Sequence, residues 1–226
     1  RMGSRSSLYP IVEDLQFGWW DDSEKAEEVL SLFNDIVLNS DLVANLSATG
    51  LVTNAYLYTG DEKYKKWVLD YVDAWLDRSR KNGGIIPDNV GPTGKVGENR
   101  NGVWYGGLYG WNSSYGYTRL FHSVMVATEC AVLLSGDLGY TELMRSQIKV
   151  LLENSFTRED GHLLVPVGYT PDGWAGDMDD PVMLGPGQAQ HLLILFPLMP
   201  MPQKHEPLHL DPVMLGSEQV PHLLIL

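Results

Sequence analysis

A single cysteine, Cys130, is present among the 226 residues. One thiol cannot close an internal disulfide, and a zinc site built from several cysteines cannot form. Cys130 lies in an apolar stretch, where a thiol packs as a small hydrophobe. Basic residues are scarce as well: 16 Lys and Arg stand against 29 Asp and Glu, for a formal net charge of -13. Such a surface repels phosphate backbones and anionic membranes, and no Lys/Arg stripe offsets it, so neither nucleic acid nor a membrane is an expected partner. Long apolar runs are missing too. Stretches such as Val124–Ala127 and Ala131–Leu134 fall far short of the ~20 residues that span a bilayer. No secretory leader is legible in the opening Arg1-Met2-Gly3-Ser4, which leaves the compartment open, export to the periplasm or outside included if a leader was lost.

Ready-made chemical motifs are also absent. There is no His-Glu-x-x-His, no Walker A and no Gly-x-Ser-x-Gly. Gly106-Gly107-Leu108-Tyr109-Gly110 lacks the spacing of a dinucleotide fingerprint. The acidic loop with Asp172, Asp177, Asp179 and Asp180 lacks the alternating oxygens and terminal Glu of an EF-hand and reads as a solvated turn. No metal and no cofactor is expected.

What the chain does contain is a phrase used twice, 76 residues apart. Around Ala55 it reads Ala-Tyr-Leu-Tyr-Thr-Gly-Asp-Glu-Lys-Tyr, and around Ala131 Ala-Val-Leu-Leu-Ser-Gly-Asp-Leu-Gly-Tyr. Each time a buried-looking helix ends, a Gly-Asp turn follows, an amphipathic helix begins, and a Gly-containing loop comes next. Self-similarity at a fixed offset marks stacked repeats, none of which can bury its apolar face alone.

Apolar spacing places the first helix over Ala26–Val37, with Asp21 and Asp22 as N-caps, after an aromatic cluster Phe17-Gly18-Trp19-Trp20 that must pack or bind. Ser40-Asp41 caps a second helix running to about Tyr58. The third starts at Asp61, and Tyr64, Trp67, Val68, Tyr71, Val72, Trp75 and Leu76 form its apolar stripe up to the stop at Asn82-Gly83-Gly84. A fourth, over about Arg119–Leu134, is apolar nearly all round and reads as buried on most sides. The fifth covers about Leu138–Asn154, and a sixth begins near Gln188. Long loops follow the third and fifth helices, and connections of more than about 15 residues in a compact domain are usually functional. This alternation predicts an all-α fold, a partial (α/α) toroid of about three helical hairpins, with short turns at one end and long loops gathered on the opposite rim.

The expected organisation is a lead-in over 1–22, the partial toroid over 23–196, and a Pro-rich tail over 197–226. Within that tail, 211–226 nearly repeats 180–195, including Asp-Pro-Val-Met-Leu-Gly and His-Leu-Leu-Ile-Leu. The near-identity points to a recent duplication or an assembly scar, and Pro221, where the first copy has Gln190, makes the second a poorer helix. The chain stops within an apolar run, as a truncated one would.

At Thr59-Gly60-Asp61-Glu62-Lys63-Tyr64, followed by Asn82-Gly83-Gly84-Ile85-Ile86-Pro87-Asp88, the chain resembles the six-hairpin glycosidase superfamily, over roughly Ser23–Leu195. Members of that superfamily have an (α/α)6 toroid and include unsaturated glucuronyl hydrolases, related glycoside hydrolases, sugar epimerases and the toroidal domains of polysaccharide lyases. The resemblance implies a carbohydrate-active enzyme acting on an oligosaccharide or polysaccharide, with roughly half the ring missing here.

The segment Asp88–Tyr117 carries the candidate chemistry. Trp104, Tyr105, Tyr109, Trp111 and Tyr115 offer ring faces to sugar C–H surfaces, and Arg100 and Asn101 offer donors to hydroxyls. The same aromatics serve equally as plugs that pack a loop onto its own scaffold. Glycoside hydrolysis requires two carboxyl groups, and Asp88 and Glu98 are the only ones between Asp77 and Glu129. Against that stand a turn-capping Asp88 and a Glu98 paired with Arg100. A lyase would need a group that neutralises a uronate and a base, roles open to Arg100, Asn101, Tyr105 and His122. His122 sits near the start of an inner helix, His191 at the equivalent place on the sixth, and either is otherwise a buried structural histidine. A glycoside hydrolase is the leading expectation; a polysaccharide lyase, a non-catalytic glycan- or protein-binding module and an inactive fragment are its rivals.

Overall fold

The computed structural model describes residues 18–107, 109–111, 114–157, 159, 163–166, 168–170 and 173–175. The predicted sixth helix, His191 and the Pro-rich tail lie outside the described residues, as does most of the lead-in. Within them the chain is mostly helical, with five α-helices: α1 (Ser23–Phe33), α2 (Ala48–Thr59), α3 (Glu62–Lys81), α4 (Ser114–Ser135) and α5 (Glu142–Glu153). The all-α expectation needs one amendment. Two small antiparallel hairpins follow α5: β1 (Phe156–Thr157) with β2 (Leu163–Leu164), and β3 (Gly168–Thr170) with β4 (Gly173–Ala175). Pairs this short leave no alternating pattern to read.

The start of α1 has a local cause. Asp22 caps α1, its Oδ1 accepting from the N–H groups of Glu24 and Lys25, which satisfies donors that the first turn leaves unpaired. The second helix does not begin at Ser40-Asp41. Asp41 accepts instead from the Tyr71 hydroxyl at 2.6 Å and from Asn45 Nδ2 at 3.0 Å, and its backbone bridges to Val90. A 3-10 turn over Val43–Ser47 then leads into α2. Burial first, and then the bond to Asp41, push the Tyr71 phenol well above its usual range. The fourth helix starts earlier than its apolar spacing suggests, at Ser114.

The repeat is visible bond for bond at its turns. Thr59 Oγ1 donates to Ala55 O and accepts from Asp61 N–H; Ser135 Oγ donates to Ala131 O and accepts from Asp137 N–H. Gly60 N–H donates to Tyr56 O, and Gly136 N–H to Val132 O. Asp61 then receives Lys63 N–H, and Asp137 receives Gly139 N–H. Both glycines are left-handed, with φ of 68° and 74°, the conformation that ends a helix and that a Cβ disfavours.

The helices preceding those turns lie side by side. Ser47 Oγ and Ser123 Oγ are 2.9 Å apart, and a Cβ added to Gly50 would sit 3.4 Å from Val126 Cγ1. Each pair spans the repeat offset, so the α2 and α4 segments run in the same direction and in register. Against them pack α3 and α5, through Val68, Val72, Trp75 and Leu76 of the first and Leu143, Met144, Ile148 and Leu151 of the second, in one core with Leu120, Val124, Ala127 and Ala131 of α4. Cys130 is partly buried and packs against that core.

Two expectations are corrected by exposure. The third helix turns Trp67 partly outward although it falls on the apolar stripe. Nor is α2 buried on most sides, for Leu51, Leu57 and Tyr58 are exposed; α4 is, with His122, Glu129 and Leu133 forming its exposed stripe. An apolar residue is buried only where a neighbour stands beside it, and spacing alone does not supply one. No described helix is long and apolar enough to cross a membrane.

Because Cβ atoms at Gly60 and Gly136 would meet nothing within 4 Å, Gly60→Ala and Gly136→Ala each incur only the left-handed backbone penalty. Urea unfolding is expected to give losses of about 1 kcal/mol for both, equal to within a few tenths. A clearly unequal pair would mean that the two turns are not equivalent.

Candidate functional site

The loop after α3 is organised around one carboxylate. Residues 85–90 thread beneath it: Ile86 N–H donates to Gln147 Oε1 of α5 at 2.8 Å, and Ile86 O accepts from the Trp111 indole N–H at 2.8 Å. Asp88 N–H donates to Trp104 O at 2.9 Å. The Asp88 side chain then collects the returning loop. Oδ1 accepts from Gly107 N–H at 2.7 Å and from Asn89 Nδ2 at 3.3 Å; Oδ2 accepts from Gly106 N–H at 2.9 Å and from Trp111 N–H at 2.7 Å. Two donors per oxygen fill the acceptor capacity of a carboxylate.

Asp88 is fully buried. Burial pushes its carboxyl above the usual range, while the donors from Gly107, Trp111, Asn89 and Gly106 pull the other way. The two nearest glycines are a steric requirement. A Cβ on Gly107 would run into the Asp88 carbonyl oxygen, and one on Gly110 into Asp88 Oδ2. Beside them the Arg100 guanidinium donates through Nη1 to Tyr105 O. Burial lowers its pKa, and the charge of Asp88 acts in the opposite sense.

The other sequence-derived residues fall into distinct places. Glu98 is exposed, and its Oε2 accepts from Thr93 N–H at 3.0 Å and Thr93 Oγ1 at 2.8 Å; the donors to this oxygen come from Thr93, where the sequence suggested Arg100. Asn101 is exposed with φ of 52°. Tyr109 is half-buried with φ of 59°, and the Arg119 guanidinium sits 4.4 Å from its ring centroid. A tyrosine in this region is uncommon and persists where its surroundings over-determine it. Trp111 is fully buried, a core plug. Tyr115 lies in the first turn of α4. His122 is exposed on α4, contrary to a buried structural role. Asp88 and Glu98 therefore differ completely in access, one sealed by protein donors and the other at the surface.

Trp104 and Tyr105 do come together, and with partners that the sequence did not single out. Tyr169 lies 4.7 Å from Trp104 and 4.9 Å from Tyr105, ring centroid to ring centroid; Trp174 lies 5.1 Å from Tyr169 and 5.5 Å from Trp111. Tyr169 N–H donates to Trp111 O at 2.7 Å. All four of Trp104, Tyr105, Tyr169 and Trp174 are half-buried and pack against the core. The long loops after α3 and after α5 thus meet at the end opposite the Gly-Asp turns. The signal for the missed pair was Tyr169-Thr-Pro-Asp-Gly-Trp174, two aromatics flanking a turn sequence. Among the described residues no group of three His, Cys, Asp or Glu side chains could hold a metal ion.

Removing the acceptor or crowding it should have the same consequence. Asp88→Asn replaces an acceptor facing backbone donors with an amide, and Gly110→Ala drives a methyl into the carboxylate. Each is expected to destabilise the chain by about 3 kcal/mol or more, seen as a lower midpoint in chemical denaturation. The double variant should lose little beyond either single one, because both break one unit.

No curated protein and no solved structure matches the chain. A family model does match residues 8–184, a span that takes in both hairpins, the Asp88 loop and the aromatic wall, and by it the chain belongs to the family described as a domain of unknown function, DUF8034.

Proposed function

We propose that this chain is a part of an (α/α) toroid and that its aromatic rim recognises carbohydrate. The observation that carries the reading is the wall of Trp104, Tyr105, Tyr169 and Trp174, four half-buried rings drawn from two loops. Aromatic faces suit the C–H surfaces of a sugar ring, and a polar tip on each Tyr and Trp leaves a donor for hydroxyls. A toroid is supported by the matching Thr/Ser-Gly-Asp turns, by the in-register pairing of α2 with α4, and by the placing of long loops at one end. The strongly acidic composition favours neutral sugars over polyanions.

Recognition is favoured over hydrolysis by the Asp88–Glu98 pair. A general acid must reach the glycosidic oxygen, and Asp88 has both oxygens occupied by protein donors beneath the loop. The lyase reading draws on Arg100, Asn101, Tyr105 and His122, and of these the Arg100 guanidinium donates to the carbonyl of Tyr105.

Affinity electrophoresis through gels carrying a panel of neutral and uronate-containing polysaccharides tests the proposal. Retardation is expected on at least one neutral polymer. Trp104→Ala and Trp174→Ala should each weaken it about tenfold, or about 1.4 kcal/mol, while Glu98→Gln leaves it unchanged. If no polymer retards the chain, recognition at this rim is wrong. Release of reducing ends that Glu98→Gln abolishes would instead restore the hydrolase.

A further inference from the structure

Neutral donors satisfy the lone pairs of a buried carboxylate but leave its charge uncompensated. Behind the donors to Asp88 stands a cation, and Gly106 is the point of contact between the two. Its N–H donates to Asp88 Oδ2 at 2.9 Å. A Cβ on the same residue would run into the Arg100 guanidinium, so this position also excludes a side chain, here with φ of 87°. The carbonyl of the same peptide, Tyr105 O, accepts from Arg100 Nη1. One peptide group is therefore bonded at both ends to ionisable side chains, its C=O to a guanidinium and its N–H to a carboxylate. Both bonds polarise the peptide in the same sense, and each strengthens the other.

We infer that Arg100 is the counter-charge of Asp88 and a positioning residue of the aromatic rim, acting through the peptide that joins Tyr105 to Gly106. Three observations select it. The carboxylate closest to Arg100 in sequence, Glu98, is turned to Thr93 instead. Burial depresses the pKa of the guanidinium, and the charge of Asp88 is the first influence acting against that, ahead of Tyr105. Finally, the two residues hold consecutive peptides of the rim: Trp104 O accepts from Asp88 N–H at 2.9 Å, Tyr105 O accepts from Arg100, and Gly106 N–H closes on Asp88. Asn89 Nδ2 adds a longer bond to Tyr105 O, at 3.4 Å, but carries no charge. Among the described residues, the groups that face this pair from the elements packed on it are Tyr105 of the returning loop and the neutral amides of Asn89 and, through Ile86, Gln147 of α5. The assignment is independent of what the rim binds.

Carbon-13 NMR of the Asp88 carboxyl across a pH series reads the coupling directly. Arg100→Gln is expected to raise the midpoint at which Asp88 takes up a proton by about one pH unit or more. Arg100→Lys keeps the charge and should raise it by much less, an order that a purely packing role would not produce. The stability lost in Arg100→Gln should also shrink as the pH falls through the Asp88 midpoint, because a neutral carboxyl has no charge to compensate. Should Arg100→Gln fail to fold, the wild-type chain answers the same question: the side-chain nitrogen signals of Arg100 are expected to shift with the Asp88 midpoint. An Asp88 midpoint that Arg100→Gln leaves unchanged overturns the proposal. So does an equal rise in Arg100→Lys, or Arg100 signals in the wild-type chain that ignore the ionisation of Asp88.

Discussion

The loop end of this molecule depends on a carboxylate that sits where no solvent reaches it. Moving a charge of that size out of water costs several kcal/mol even after relaxation, so Asp88 is tolerable only because three backbone N–H groups and one amide converge on it. Hydrogen bonds to a charged group are the strong class, and here they are set by the chain path itself. Residues 106–111 must return over Asp88 at van der Waals distance, which only glycine at 107 and 110 permits. Left-handed Asn101 precedes that return and left-handed Tyr109 lies within it; a tyrosine in that region persists where its surroundings over-determine it.

From that anchor the constraint spreads to both hairpins. Trp111 is fixed by its backbone to Asp88 and by its indole to Ile86, and Ile86 is fixed to Gln147 of α5. The amide of Gln147 is fully buried, and its Nε2 reaches Ser79 Oγ and Gly84 O at the end of α3. One glutamine thus ties the exit of the first hairpin, the thread under the loop and the second hairpin together. Removing its amide would strand several buried groups at once, the situation in which polar networks are most consequential.

The architecture was legible in proportion to how local its causes are. Thr59-Gly60-Asp61 and Ser135-Gly136-Asp137 each close a turn with their own side chains, so the repeat could be read and is observed bond for bond. The caps at Asp22 and Asp61 are equally local. Asp41 was misread because its carboxylate answers to Tyr71, thirty positions away, and long-range partners leave no trace in spacing. The stripe on α3 was right in period, yet Trp67 is partly exposed because the missing ingredient is a neighbour. Asp88 was singled out as one of the two carboxyl groups between Asp77 and Glu129, a count that carries no information on burial. The glycines of the same loop are the ones that let its backbone close on the carboxylate. Tyr169 and Trp174 were passed over because their significance comes from meeting Trp104 and Trp111 across two loops.

A duplicated hairpin explains why such an anchor is needed at all. When short turns occupy one end of every hairpin, the long connections must fall at the other, and variable surface collects there by topology. Helices rigidify the turn end through their own caps and packing, but a connection built from Gly91, Gly94, Gly97, Gly102, Gly106, Gly107 and Gly110 has few side chains with which to make a core. Apolar burial holds it only where Ile86, Val90 and Trp111 enter the core. A carboxyl group that gathers three backbone N–H groups and one amide is the compact complement, because it organises main chain. Trp111 alone is committed to the interior, and Trp104, Tyr105, Tyr169 and Trp174 can remain half-exposed at fixed mutual distances on a backbone that the buried carboxylate keeps in place.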